Sequence, residues 1–93
     1  MIISVVPLYE STGAGVRMTV YHVNRFEGIS RHEHIYQHLT YCAFGSIVLR
    51  KEGKELILTK DSMPVIAPKN EMHEIEALED NTVFVNVFAE GKF

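Results

Sequence analysis

The sequence predicts an all-β fold, a closed or sandwiched arrangement of antiparallel strands, and three observations carry that reading. Stretches rich in β-branched and aromatic residues recur along the chain with a two-residue alternation. Short polar turns separate them at close intervals. Almost nothing shows the apolar period of a helix. With 93 residues and 46% apolar content, the chain is expected to form one domain over residues 1–93, with its main strands within about 16–88. A core this small gains from a bound metal or a second subunit.

The opening "MIISVVPLY" has neither a basic start nor a cleavage site, so it does not read as a secretory signal. "ESTGAG" reads as a turn or loop. Val16 to Phe26 alternates and is the first long strand. His38 to Phe44 is the second, stopped by Gly45. Ile47–Lys51 and Glu55–Leu58 form a hairpin across Glu52-Gly53. Asp61 to Pro64 is a turn. Two short strands then flank the polar turn Pro68 to Glu71, and Asn81 to Phe88 is the last strand. Seven or eight strands result. Parity sends Cys42 and Phe44 inward with His38, and Tyr41 outward. Met18, Met63 and Met72 are expected in packing. Glu71, Glu74 and Glu76 are expected in solvent, and "RKEGKE" is a charged hairpin tip.

The formal charge of −3 comes without a basic stripe, so a nucleic-acid partner is not expected. No apolar run reaches membrane-spanning length, which argues against a membrane partner. The lone Cys42 cannot form an intramolecular disulfide, and a reducing, cytoplasmic compartment fits it best.

Three of the five histidines fall within "RHEHIYQH". On an extended strand His32 and His34 share a face, and Glu33 points away. His38 has the same parity, but a straight strand would hold it about 20 Å from His32. Metal–imidazole bonds are only about 2 Å long, so the three meet at one ion only if the chain bends between Ile35 and Gln37. A helical turn that stacks His34 on His38 is the alternative. His73 is the fourth candidate, 35 residues beyond His38. His22 has no local partner and reads as a surface residue.

At these positions the sequence resembles the cupin superfamily, whose members are small jelly-roll β-barrels. The first cupin motif is matched by Gly28, "HEHIYQH" and Gly45, with six residues before that last glycine. The second is matched by Lys60-Asp61 and "PKNEMH". The match spans about Gly28 to His73. It departs from the pattern at four points. His38 stands where a glutamate ligand is usual, and Asn70 replaces a glycine, though asparagine tolerates the same left-handed turn. The first spacer is two residues short, and Ala77 replaces an asparagine.

The resemblance implies a jelly-roll barrel with His32, His34, His38 and His73 as metal ligands. It also implies a short turn at Ile35-Tyr36-Gln37 between neighbouring strands. The implied cofactor is a divalent transition metal, Fe, Mn, Ni, Zn or Cu. The implied function is a metal-dependent oxygenase or isomerase-like enzyme for a small polar or aromatic molecule. A non-catalytic module binding a sugar-type ligand and a closed structural metal site are the alternatives. Catalytic residues beyond the ligands are unknown from sequence, and no strong internal base stands beside them. A small-molecule partner is expected. A homodimer is also expected, through the outward apolar residues Val83, Val85 and Val87.

Overall fold

In the computed structural model, which describes residues 2–91, ten strands follow one another. They are β1 (Ile3–Ser4), β2 (Tyr9–Gly13), β3 (Val16–Val23), β4 (Glu27–His32), β5 (His38–Phe44), β6 (Ser46–Lys51), β7 (Lys54–Thr59), β8 (Val65–Ala67), β9 (His73–Ala77) and β10 (Thr82–Ala89). Two five-stranded sheets form, in the orders β1-β4-β9-β6-β7 and β2-β3-β10-β5-β8. All pairings are antiparallel except β1 with β4. The sheets face each other as in a jelly roll. Among the described residues there is no helix, and so none long and apolar enough to cross a membrane.

The core lies between the sheets. Val23, Cys42 and Phe84 from one side meet Ile47, Leu49, Leu58, Ile75 and Ala77 from the other. Tyr21 stacks on Phe84 with ring centroids 4.7 Å apart. The β6–β7 hairpin turns through Glu52 and Gly53, both with positive φ, which matches the right-handed twist of its strands. Asn70 adopts the left-handed conformation that its place in the second motif requires, with φ 59°.

Several expectations change. "ESTGAG" is not a loop, since Tyr9 to Gly13 pair with β3 and only Ala14 and Gly15 turn, at φ 54° and 81°. Every residue of β2 is exposed, and an edge strand tolerates such polar side chains because its pairing is main-chain. β3 ends at Val23 rather than Phe26, because Phe26 takes φ 75° in the turn that starts β4. Phe44 points outward and is 59% exposed. In the ladder Phe84 pairs with Cys42 and Val83 with Phe44, so Ala43 is an extra residue. This bulge reverses the parity after Cys42. Val85 lies on the outer face yet is only 3% exposed, between its partners Val20 and Tyr41. Met63 is exposed rather than packed. Glu74 and Glu76 are not simply solvated. Both bind Arg50, at 3.0 and 2.8 Å, and Glu55 completes the cluster.

Gly28 sits where β4 presses on β9. A Cβ there would strike the Ile75 carbonyl oxygen and lie 2.9 Å from its carbon, and backbone cannot step aside as a side chain can. Gly28→Ala is expected to destabilise the fold by about 3 kcal/mol, read as a lower urea midpoint. An unchanged midpoint would show that β4 is not held at this distance.

Candidate metal centre

A second bulge builds the site. Ile29 pairs with Ile75, yet His32 pairs with His73. Three steps along β4 thus match two along β9, so Ser30 and Arg31 together oppose Glu74. In a regular ladder the inward-facing Ile29 would leave His32 outside. The bulge turns it in, directly across from His73. His34 follows beyond the end of β4, and the chain bends at Ile35 and Tyr36 before β5 starts at His38. The stretch from His32 to His38 is therefore neither one straight strand nor a helical turn, and it crosses from one sheet to the other.

The four rings meet. The ligand nitrogens of His32, His34 and His73 lie within 4.8 Å of one another. His32 Nε2 is 2.9 Å from His34 Nε2, and His38 Nε2 is 3.3 Å from His73 Nε2. Two ligands on one ion with metal–nitrogen bonds near 2.1 Å stand about 3.0 Å apart in octahedral geometry and about 3.4 Å apart in tetrahedral geometry. Both contacts fit that range. His22 is exposed and takes no part.

Anchoring of the opposite ring nitrogens fixes the tautomers. His32 Nδ1–H donates to the Ser30 carbonyl at 2.7 Å, and His73 Nδ1–H donates to the Glu71 carbonyl at 2.9 Å. The Thr40 hydroxyl donates to Asn86 Oδ1 at 2.7 Å, so its oxygen is left to accept from His38 Nδ1 at 3.1 Å. The Leu39 carbonyl at 3.5 Å also faces that nitrogen. In the neutral rings, His38 and His73 therefore present bare Nε2 lone pairs to each other. Lone pairs at that distance repel unless a cation or a proton lies between them. Protonation is disfavoured: burial, then the neighbouring His73, holds His38 down at about 3. Burial likewise lowers His73, and burial with His32 and His73 holds His34 at about 4. The donor set fits a metal that takes neutral imidazoles, and three of them, His32, His38 and His73, have the second nitrogen held by the protein.

A cavity of about 240 Å³ opens beside His32 and His34. Its wall includes Glu10, Arg17, Thr19, Tyr21 and Asn86. Arg17 donates to Glu10 at 3.1 Å. Burial raises the Tyr21 phenol. Thr19 lies close enough to influence that phenol, but the pair falls short of hydrogen-bonding geometry. Thr19 Oγ1 is the one buried side-chain polar atom without a hydrogen-bond partner among the described residues. Glu10 is thus an acid on the cavity wall beside the histidines, where the sequence reading placed none. These wall residues escaped that reading because β3 inverts the usual alternation. Its apolar Met18 and Val20 face outward, while Arg17, Thr19 and Tyr21 face in. The inverted pattern "RMTVY" was the available signal.

No protein-family model matches the sequence, and no curated protein matches it. Solved structures do. A cupin-2 domain protein of Shewanella frigidimarina superposes with a TM-score of 0.72 at 11% identity, over 90% of this chain and 82% of that one. The chain folds as a cupin. A cupin superfamily protein of Desulfitobacterium hafniense gives a TM-score of 0.69 at 13% identity, over 86% of this chain and 72% of that one. A cupin 2 domain protein of Halorhodospira halophila gives 0.79 at 14%, over 91% and 64%. At such identities the likeness is one of fold. In this fold the segments that carry His32, His34 and His73 converge on a histidine cluster able to hold a metal.

The depressed histidines fix the sign of a pH effect. As pH falls below 6.5 the unfolded chain takes up protons on His34, His38 and His73 that the folded, metal-free protein refuses. Stability should therefore fall as pH drops from about 6.5 towards 3, and be fully present above that window. Urea midpoints of metal-free protein at pH 7 and pH 4.5 check this, and equal midpoints would contradict it.

Proposed function

We propose that His32, His34, His38 and His73 together bind one divalent transition metal. We further propose that the protein is a metal-dependent enzyme acting on a small polar molecule in the adjoining cavity. The observation that carries this reading is the pair of Nδ1-anchored rings, His38 and His73, whose Nε2 atoms face each other at 3.3 Å. Imidazole donors suit Fe, Ni, Zn and Cu, and Mn where the pocket enforces it. Four neutral ligands leave the ion its charge of about +2, and its role would be to polarise a bound oxygen. The cavity beside His32 and His34 supports an open coordination position over a closed, structural site. Oxygenase and isomerase-like chemistry both remain within this reading.

The expected homodimer has its support in the apolar outer face of the β3–β10–β5 sheet. The sheet containing β6 and β9 carries the Arg50–Glu55–Glu74–Glu76 cluster outside. The other sheet carries Met18, Val20, Leu39, Val83, Val85 and Val87. Leu39 and its neighbour Ile66 are 40% and 49% exposed. Exposed apolar surface of this kind is what a second copy would cover. The buried Cys42 thiol fits a reducing cytoplasm.

Protein purified without a histidine tag should carry one metal per chain by elemental analysis. His34→Ala, His38→Ala and His73→Ala should each weaken binding at least about tenfold, since even partners outside the ligand set usually contribute that much. Circular dichroism separates ligand loss from unfolding. Unchanged occupancy in all three variants would remove the site. For the dimer, sedimentation should give twice the subunit mass for the native chain and a single subunit for Leu39→Lys/Val87→Lys. A native protein that sediments as one subunit at micromolar concentration would end that part of the proposal.

A further inference from the structure

The cavity beside the histidines has a charge pattern of its own. Arg17 reaches it from β3, with its side chain 18% exposed. Its guanidinium also lies 5.9 Å from the centre of the Phe88 ring, which helps to hold the plane in place. Its carboxylate partner is less fixed. Glu10 sits on the edge strand β2 and is 49% exposed. A half-exposed glutamate on a sheet edge can swing into water, whereas the guanidinium cannot follow it. Beyond the histidines the rest of the wall is uncharged, with Thr19, Tyr21 and the buried Asn86 polar and Pro7, Ile29 and Phe88 apolar.

From this arrangement we infer that the cavity takes a small hydroxy-carboxylate, whose carboxylate displaces Glu10 from Arg17 while a hydroxyl oxygen turns towards the histidine site. The inference rests on the metal reading above. Charge favours it. A metal of about +2 in the histidine cluster, with Arg17 at +1 and Glu10 at −1, leaves the cavity wall positive. Size favours it as well, because about 240 Å³ holds roughly eight water volumes. That is room for a short acid. The Arg17–Glu10 ion pair then acts as an internal stand-in for the ligand's own carboxylate. It keeps the guanidinium partnered until a ligand arrives.

Glycerate and glycerol form a matched pair that differs in the carboxylate, and calorimetric titration of the metal-loaded full chain measures both. Glycerate should bind at least about tenfold more tightly than glycerol, as a charge-assisted bidentate contact implies. Arg17→Gln should reduce that preference several-fold while metal stoichiometry stays the same, the part due to the metal's own charge remaining. Glu10→Gln should act in the opposite direction and tighten glycerate binding, because the competing carboxylate is gone. A structural role for the pair would not produce effects of opposite sign. Equal binding of glycerate and glycerol would overturn the inference. So would an Arg17→Gln protein that keeps the preference in full, or a Glu10→Gln protein that loses it. The same titrations on metal-free protein separate the two readings. Failure of metal uptake alone removes the histidine site, whereas a missing carboxylate preference on fully metal-loaded protein removes only the Arg17 assignment.

Discussion

The pairing of His32 with His73 across β4 and β9 is the constraint on which the site depends. Ile29 must face inward to pack on the core, and a regular strand would then send His32 out. The extra residue within Ser30–Arg31 satisfies both demands at once. A second bulge at Ala43 works in the other sheet, where it lets β5 keep Cys42 and His38 inside while releasing Phe44 to the surface. Each bulge lies in one of the two strands that flank the turn from His34 to His38.

Placing so many imidazoles together has an electrostatic cost that the rest of the fold does not offset. His38 and His73 are buried, and no carboxylate is hydrogen-bonded to any ring of the cluster among the described contacts. The partners are backbone carbonyls and a hydroxyl, which orient the rings without supplying charge. Such a cluster is weakly basic and poorly able to relieve itself by taking up protons. A metal ion removes the conflict directly, because it turns facing lone pairs into shared ligation. In a domain of this size that coupling also ties two sheets together at the end where their apolar contacts run out.

Legibility in the sequence follows from how local each signal is. The β6–β7 hairpin was readable because Glu52-Gly53 is a turn signal that needs no tertiary help. The strands from His38, Val65 and Thr82 were readable because their branched and aromatic residues dominate, and the one from His73 through its alternation. The histidine cluster was readable as a set through its resemblance to a motif, although parity alone could not join His38 to His32. β2 was hidden, since Tyr9 to Gly13 show no apolar alternation and the strand is set by its main-chain ladder with β3. Both bulges were hidden too, because an extra residue leaves no compositional trace and changes parity only against a partner strand. For the same reason Phe44 was assigned to the wrong face. Glu10 and Arg17 could not be brought to one cavity from sequence, since their meeting depends on the β2–β3 register.

That register reveals how the interior is divided. Cross-strand layers run through the β3–β10–β5 sheet. Tyr21, Phe84 and Cys42 form one layer, and Thr19, Asn86 and Thr40 form the next, with Glu10 from β2 at its edge. The opposing sheet changes in step, from Ala77 with Ile47, through Ile75 with Leu49 and Ile29, to His73 with His32. Apart from β10, where Thr82 and Phe88 break the pattern, the inward-facing strand faces are therefore apolar at one end and polar at the other, and the transitions line up across the gap between sheets. Folding can draw on the apolar end, which holds Phe84, Ile47, Leu49 and Ile75 almost fully out of water. The polar end is then free to carry groups that would be intolerable in a uniform core. An arginine, a glutamate and four histidines sit there because the layers beneath them already hold the sheets together.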